Sequence, residues 1–341
     1  MQRHRILFLI LFSCFYAGIT AQQRPYYTQY IMNNYILNPA ISDIENYTDV
    51  KLSYRNQWAG IDGAPQTFYF TIHGPIGKKD YRQTATSFDM KGENPRGKAY
   101  WEEYTAPEPH HGVGFSMVNY KTGYINRFFI NASYAYHLGL SPKTNLAAGF
   151  AGGISTIGID ASQIKLANPI DPAIGNSIAT LRRTKAELSA GLWLYSSDYF
   201  VGLSAQQIIP QKLQLVDNNY DKTTLVPHVF ATAGYRFFLN DEISALPSVM
   251  LRYIPSEPIF ADANIKLQYL DRFWVGGNIR LKEGFAAMTG FNISSTFNVS
   301  YSYEVNNSRY LLQSQQRGSH EIVLGFLLGN KYGDTCPRNV W

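Results

Sequence analysis

The sequence predicts an all-β protein, a transmembrane antiparallel up-and-down β-barrel of about fourteen strands. Three observations predict it. First, Phe291, Ile293, Phe297, Val299, Tyr301, Tyr303 and Val305 alternate with Asn292, Ser294, Thr296, Asn298, Ser300, Ser302 and Glu304. Period two belongs to a pleated strand with two chemically different faces. Second, such segments recur along the chain with short turns between them, and past the N-terminus no apolar run is long enough for a transmembrane helix. Third, 25 Tyr and 20 Phe in 341 residues supply the aromatic girdles that barrels place at both membrane interfaces. A soluble sandwich or propeller shares the alternation. Closure removes the edges of so many strands, and small residues on the polar face suit a lumen.

Residues 1–21 read as an export signal. Arg3, His4 and Arg5 precede an apolar run from Ile6 to Phe12, and Gly18-Ile19-Thr20-Ala21 offers a cleavage site. Cleavage removes Cys14 and leaves Cys336 alone, so neither a disulfide framework nor a cysteine zinc site is expected. The formal charge of +5 falls to +3 without Arg3 and Arg5. That is too mild for a nucleic-acid partner. Residues 22–46 are rich in Tyr and Asn and are expected to form a lead-in with one short helix near Tyr27 to Tyr35. Pro39 ends that helix by holding Asn38 extended. The segment is expected to plug or line the periplasmic end.

Residues 47–330 carry the barrel. Tyr47 to Gly60 sets Leu52, Tyr54, Asn56 and Trp58 against Ser53, Arg55 and Gln57, and Asp62-Gly63 turns. Gln66 to Gly74 follows, then a long loop from Lys78 to Pro109. Strands are predicted over 112–120, 128–140 and 145–160, then after a loop over 184–195 and 200–208. A further loop covers 210–224. Strands resume at 229–238, 244–254, 260–270 and 273–281. Phe285 to Val305 is about twice the length needed to cross a membrane, so it is two strands turning at Ser294-Ser295-Thr296. Phe291 and Ile293 then face lipid on one, and Val299, Tyr301 and Tyr303 on the next. Glu321 to Asn330 is the last strand, and 331–341 is a tail. One inconsistency follows. With both termini in the periplasm, the loop 78–109 falls on the side where turns are usually short.

Arg55-Asn56-Gln57-Trp58, then Gly60, Gly63-Ala64-Pro65-Gln66-Thr67 and His73, resemble the start of the PorP/SprF family. Gln29-Tyr30-Ile31-Met32-Asn33, Leu37-Asn38-Pro39-Ala40, Tyr301-Ser302-Tyr303 and Gly318-Ser319-His320-Glu321-Ile322 resemble it too, in the expected order over nearly the whole chain. Ile41, Ser42 and Asp43 depart from it, since the family has a small residue and a glycine after Asn-Pro-Ala. The resemblance implies an outer-membrane barrel of the type IX secretion system. It implies partners that are secreted proteins with a C-terminal sorting domain, often gliding adhesins, together with other secretion components and outer-membrane lipid.

No catalytic constellation, cofactor motif or metal site is expected. His110 and His111 are adjacent on a strand and so face opposite sides. Gly149 to Gly158 lacks phosphate-loop spacing. Candidate partner-binding residues are Tyr30, Asn33, Asn34 and Asn38 in the lead-in, whose amides and hydroxyls offer many donors and acceptors. Arg55, Trp58, Arg280 and His320 join them. Arg55, Arg236, Arg252 and Arg280 could form a basic lumenal ladder, or be charge-paired with Glu187 and Glu304. The alternative function is a transporter of small hydrophobic molecules with an N-terminal plug.

Overall fold

The computed structural model describes residues 27–45, 47–77, 108–160, 181–209, 211–212, 224–240 and 242–329, apart from 256, 271, 282, 295 and 307–317. The strands are β1 Thr48–Asn56, β2 Gln66–Ile76, β3 His110–Thr122, β4 Ile125–Ser141, β5 Thr144–Ile159, β6 Leu181–Tyr195 and β7 Tyr199–Gln206. A small separate hairpin follows, β8 Gln211–Lys212 with β9 Thr224–Leu225. Then come β10 His228–Tyr235, β11 Phe237–Phe238, β12 Ile243–Tyr253, β13 Phe260–Tyr269, β14 Phe273–Arg280, β15 Gly284–Asn292, β16 Phe297–Asn306 and β17 Ser319–Leu328.

The main sheet closes on itself. β1 pairs with both β2 and β17, and β10 pairs with both β7 and β12, every pairing antiparallel. β10 and β11 keep one register against β12, so they are a single wall strand and the barrel has fourteen. The interruption at Arg236 has a local cause. In that register Tyr235 stands opposite Pro247, which has no N–H to give to the ladder.

The alternation sorts outside from inside. Phe285, Phe291, Tyr301 and Tyr303 are exposed on the outer surface, while Asn298, Ser300, Ser302 and Glu304 are buried in the lumen. Ser294 to Thr296 is the turn between β15 and β16. His110 is buried inward and His111 exposed outward.

Connection lengths orient the barrel. One end carries the three long connections 160–180, 207–227 and 307–318 beside the shorter 57–65, 123–124, 254–259 and 281–283, and the other carries 142–143, 196–198, 239–242, 270–272 and 293–296, all of two to four residues, besides 77–109. Short turns mark the periplasmic end and longer loops the outer end. The connection 77–109 leaves β2 and enters β3 at the short-turn end, where β1 begins and β17 ends. Its placement is therefore a property of the chain, not of a miscounted strand. Residues 78–107 and 161–180, the signal 1–21 and the tail 331–341 lie outside the described residues.

Candidate functional site: a lumen filled by the N-terminal segment

Residues 27–45 lie inside the barrel. The single helix expected there is replaced by three short 3-10 turns, Tyr30–Met32, Asn34–Ile36 and Pro39–Ile41. Asn and Pro recur too densely for an α-helix to propagate. Asn38 caps the third turn, its side-chain oxygen accepting from Ala40 N at 3.0 Å with Pro39 at the first helical position. Asp43 has φ 72°. That is the left-handed region, which Asp visits more readily than most non-glycine residues.

The segment runs the length of the lumen and does not stay at the periplasmic end. Thr28 and Gln29 meet Glu304 and Glu321 near the outer ends of β16 and β17. Thr28 Oγ1 donates to Glu304 Oε2 at 2.5 Å, Thr28 N to Glu321 Oε2 at 3.2 Å, and Gln29 Nε2 to Glu321 O at 3.0 Å. Those carboxylates are held in turn by arginines. Arg55 Nη2 donates to Glu304 Oε2 at 3.0 Å and Arg280 Nη1 to Glu304 Oε1 at 3.2 Å. Arg280 Nε also lies 3.3 Å from Asp262 Oδ1. Arg55 and Arg280 are thus charge-paired through Glu304 and do not form a bare basic ladder. Glu187 is elsewhere, lining a small cavity beside Gln206.

Lower down, the segment's Asn and Tyr side chains find wall partners. The Tyr30 hydroxyl accepts from the Asn264 amide, which itself accepts from Asn278 Nδ2 at 2.7 Å. Asn33 Nδ2 donates to Thr71 Oγ1 at 3.0 Å, and the Tyr35 hydroxyl is 2.7 Å from Ser133 Oγ. Asn38 Nδ2 donates to Leu192 O at 2.9 Å. Ser204 Oγ donates to Leu37 O at 2.7 Å and Gln206 Nε2 to Ile36 O at 2.9 Å. At the periplasmic end His137 Nε2 donates to Ser42 O at 2.7 Å. Burial pushes the Tyr35 hydroxyl up to about 12. Burial, aided by the charge of Asp262, raises that of Tyr30 further, so both stay neutral at ordinary pH.

Steric fit matches the polar fit. A Cβ on Gly149 would sit 2.6 Å from Ala40 Cα, and one on Gly191 would strike the Asn38 amide. Three apolar clusters complete the packing, the smallest setting Tyr27 and Ile36 against Tyr69, Val118 and Phe129. One joins Ile31, Met32 and Leu37 to Phe230, Met250, Trp274 and Met288. Another joins Ile41 and Ile44 to Trp193, Tyr195 and Phe200. The cavity between Tyr27, Tyr35, Ile36 and the wall measures about 40 Å³, room for a water or two.

Of the eight candidate residues, six lie in this packing. Tyr30, Asn33, Asn34 and Asn38 are buried in the segment, and Arg55 and Arg280 in the wall around it. Trp58 is half-buried in the outer turn between β1 and β2, its backbone N–H donating to Ser319 Oγ at 3.2 Å. His320 faces outward at the start of β17, its Nδ1 2.7 Å from the Tyr301 hydroxyl. The sequence reading missed Asp262, Asn264, Ser204 and Gln206, which are polar residues at inward parity. It also missed Gly149 and Gly191 as seats for the segment, though a glycine at an inward position was a visible signal.

The chain is similar to several known proteins. The toluene transporter TbuX of Ralstonia pickettii shares 10% identity over 87% of this chain and 92% of its own, with a TM-score of 0.46. The toluene transporter TodX of Pseudomonas putida shares 8% over 89% and 93%, with a TM-score of 0.43. A FadL homologue of Pseudomonas aeruginosa shares 10% over 89% and 93%, with a TM-score of 0.42. No curated protein matches the chain. Residues 19–326 match the family described as type IX secretion system membrane protein PorP/SprF. The chain belongs to that family and is an outer-membrane β-barrel of it.

Proposed function

We propose that this barrel binds secreted proteins carrying a C-terminal sorting domain and supports their export or retention at the cell surface, with gliding adhesins as the cargo class. Other secretion components are its further partners, and residues 1–21 are its export signal. The observation that supports the reading is the filled lumen. A barrel of this family whose interior is occupied by its own N-terminal segment acts through its rims and outer surface. In this reading Tyr30, Asn33, Asn34, Asn38, Arg55 and Arg280 hold the segment and shape the rims indirectly. Trp58 and His320, near the outer rim, are the members of the set placed to meet a partner.

The test is deletion of the gene together with affinity purification of the tagged full chain. The expected result is loss of surface display of sorting-domain proteins and recovery of such a protein with the barrel. Normal display of all such cargo, with a small hydrophobic molecule or lipid recovered from the lumen instead, overturns the proposal in favour of a transporter.

A further inference from the structure

We propose that the outward face of β3–β6, at their outer ends, is a seat for a phosphorylated lipid headgroup of the outer leaflet, held by Lys121 and Arg182. The argument begins with depth. On β4 the outward residues from Leu140 to Ile130 are Leu140, Leu138, Tyr136, Tyr134, Ala132 and Ile130. They fill the roughly 9–11 residues a tilted strand needs to cross the hydrocarbon core. β4 continues outward past that length through Phe128 to Asn126. The outward residues of its neighbours also turn polar toward their outer ends. The outward residues go from Met117 to Asn119 and Lys121 on β3, from Ile154 to Thr156 and Gly158 on β5, and from Leu188 through Thr184 to Arg182 on β6.

The two cations stand on one rung. Lys121 pairs with Asn126, Asn126 with Gly158, and Gly158 with Arg182. Three strand spacings separate them, about 14 Å. Both are exposed, and among the described residues neither forms an ion pair. Between them Gly158 leaves the floor low. The space is a groove of about 290 Å³, edged by Tyr124, Phe128 and Thr156. Asp160 also lines it, so two cations stand against one carboxylate and an anion is favoured. A phosphate suits cations at this level because it accepts several charge-assisted hydrogen bonds. On the same outward face Phe128, Ile130 and Ile154 follow the groove toward the membrane, so one lipid can set its phosphate on the rung and its acyl chains on the apolar wall. A free anion or an acidic peptide gains only the first contact.

The experiment is native mass spectrometry of the full chain in detergent, titrated with lipid A. Wild type is compared with the Lys121→Ser/Arg182→Ser double variant, whose folding is checked by heat-modifiable gel mobility. Each cation near the surface is worth about fivefold, so the double variant is expected to bind roughly 25-fold more weakly. Dephosphorylated lipid A should bind wild type no better than lipid A binds the double variant. Lys143→Ser, at the periplasmic end, should leave binding unchanged. Equal lipid A binding by wild type and double variant overturns the proposal. So does full competition by inorganic phosphate at equal concentration. Loss of a co-purified acidic protein from the double variant, with lipid binding intact, overturns it as well.

Discussion

Arg55 shows what a single side chain does here. It is buried, and its guanidinium lies between Glu304 and Glu321, at 3.0 and 3.9 Å. Thr28 donates to both of those carboxylates, and Gln29 Nε2 to the Glu321 carbonyl. Removing a partner from a buried ion pair leaves uncompensated charge and costs about 3–5 kcal/mol, whereas the intact pair is worth far less than its Coulomb energy suggests. Arg55→Met should therefore lower the unfolding free energy by about that amount in urea titrations in lipid vesicles. Adding Glu321→Gln to it should recover part of the loss, since one of the two stranded carboxylates is gone. An Arg55→Met barrel as stable as wild type shows that the cluster does not lock the outer end of the segment. The family motif drew attention to Arg55, but its partners are about 250 residues away along the chain, and one-dimensional spacing carries no trace of them.

At the scale of the element, the strands and the lumenal segment were unequally legible. The wall was legible because a strand between lipid and lumen must alternate. Val113, Phe115 and Met117 on β3, or Tyr134, Tyr136 and Leu138 on β4, therefore announce their facing by parity alone. Parity misleads where the lumen is not aqueous. Phe230, Met250, Trp274 and Met288 point inward because they pack against Ile31, Met32 and Leu37, and nothing in β10, β12, β14 or β15 foretells an apolar neighbour inside. The segment itself has no period, since 3-10 turns of three residues, capped and broken by Asn and Pro, leave no pattern. Its register is set by contacts such as Asn38 on the floor at Gly191. Gly191→Val places a side chain where the Asn38 amide sits. Overpacking of this kind costs about 1–3 kcal/mol. It should displace the segment locally while β6 keeps its pairing with β5. The expected result is faster proteolysis of the N-terminal segment in the purified variant with unchanged heat-modifiable mobility. If the segment resists protease as it does in wild type, Asn38 and Gly191 do not set its register.

The whole molecule is a barrel whose fourteen strands enclose more space than side chains alone can fill, since barrel diameter grows with strand number. The chain solves this by laying its own N-terminus through the lumen. β1 starts at the periplasmic end directly after the segment, so the segment must have come down from the outer side. Thr28 near the outer ends of β16 and β17 and Ser42 against His137 near the periplasmic end of β4 mark its two limits. Between those limits the contacts alternate between hydrogen bonds to the wall and apolar packing. Ions crossing the lumen would have to break both. The intact protein is therefore expected to be closed in planar bilayers. Removal of residues 27–45 should convert it to an open pore while the wall still closes through β1 and β17. The deletion also strips Glu304 and Glu321 of Thr28 and Gln29 and exposes them to the lumen together with Asp262. The inward cations Lys51, Arg55, Arg236, Arg252, Lys266 and Arg280 nearly balance Asp49, Glu187, Asp262, Glu304 and Glu321, so currents through the pore should show little preference between cations and anions. A wild-type barrel that conducts like the deletion variant means that the segment does not seal the lumen, and a role confined to the rims and outer surface fails with it.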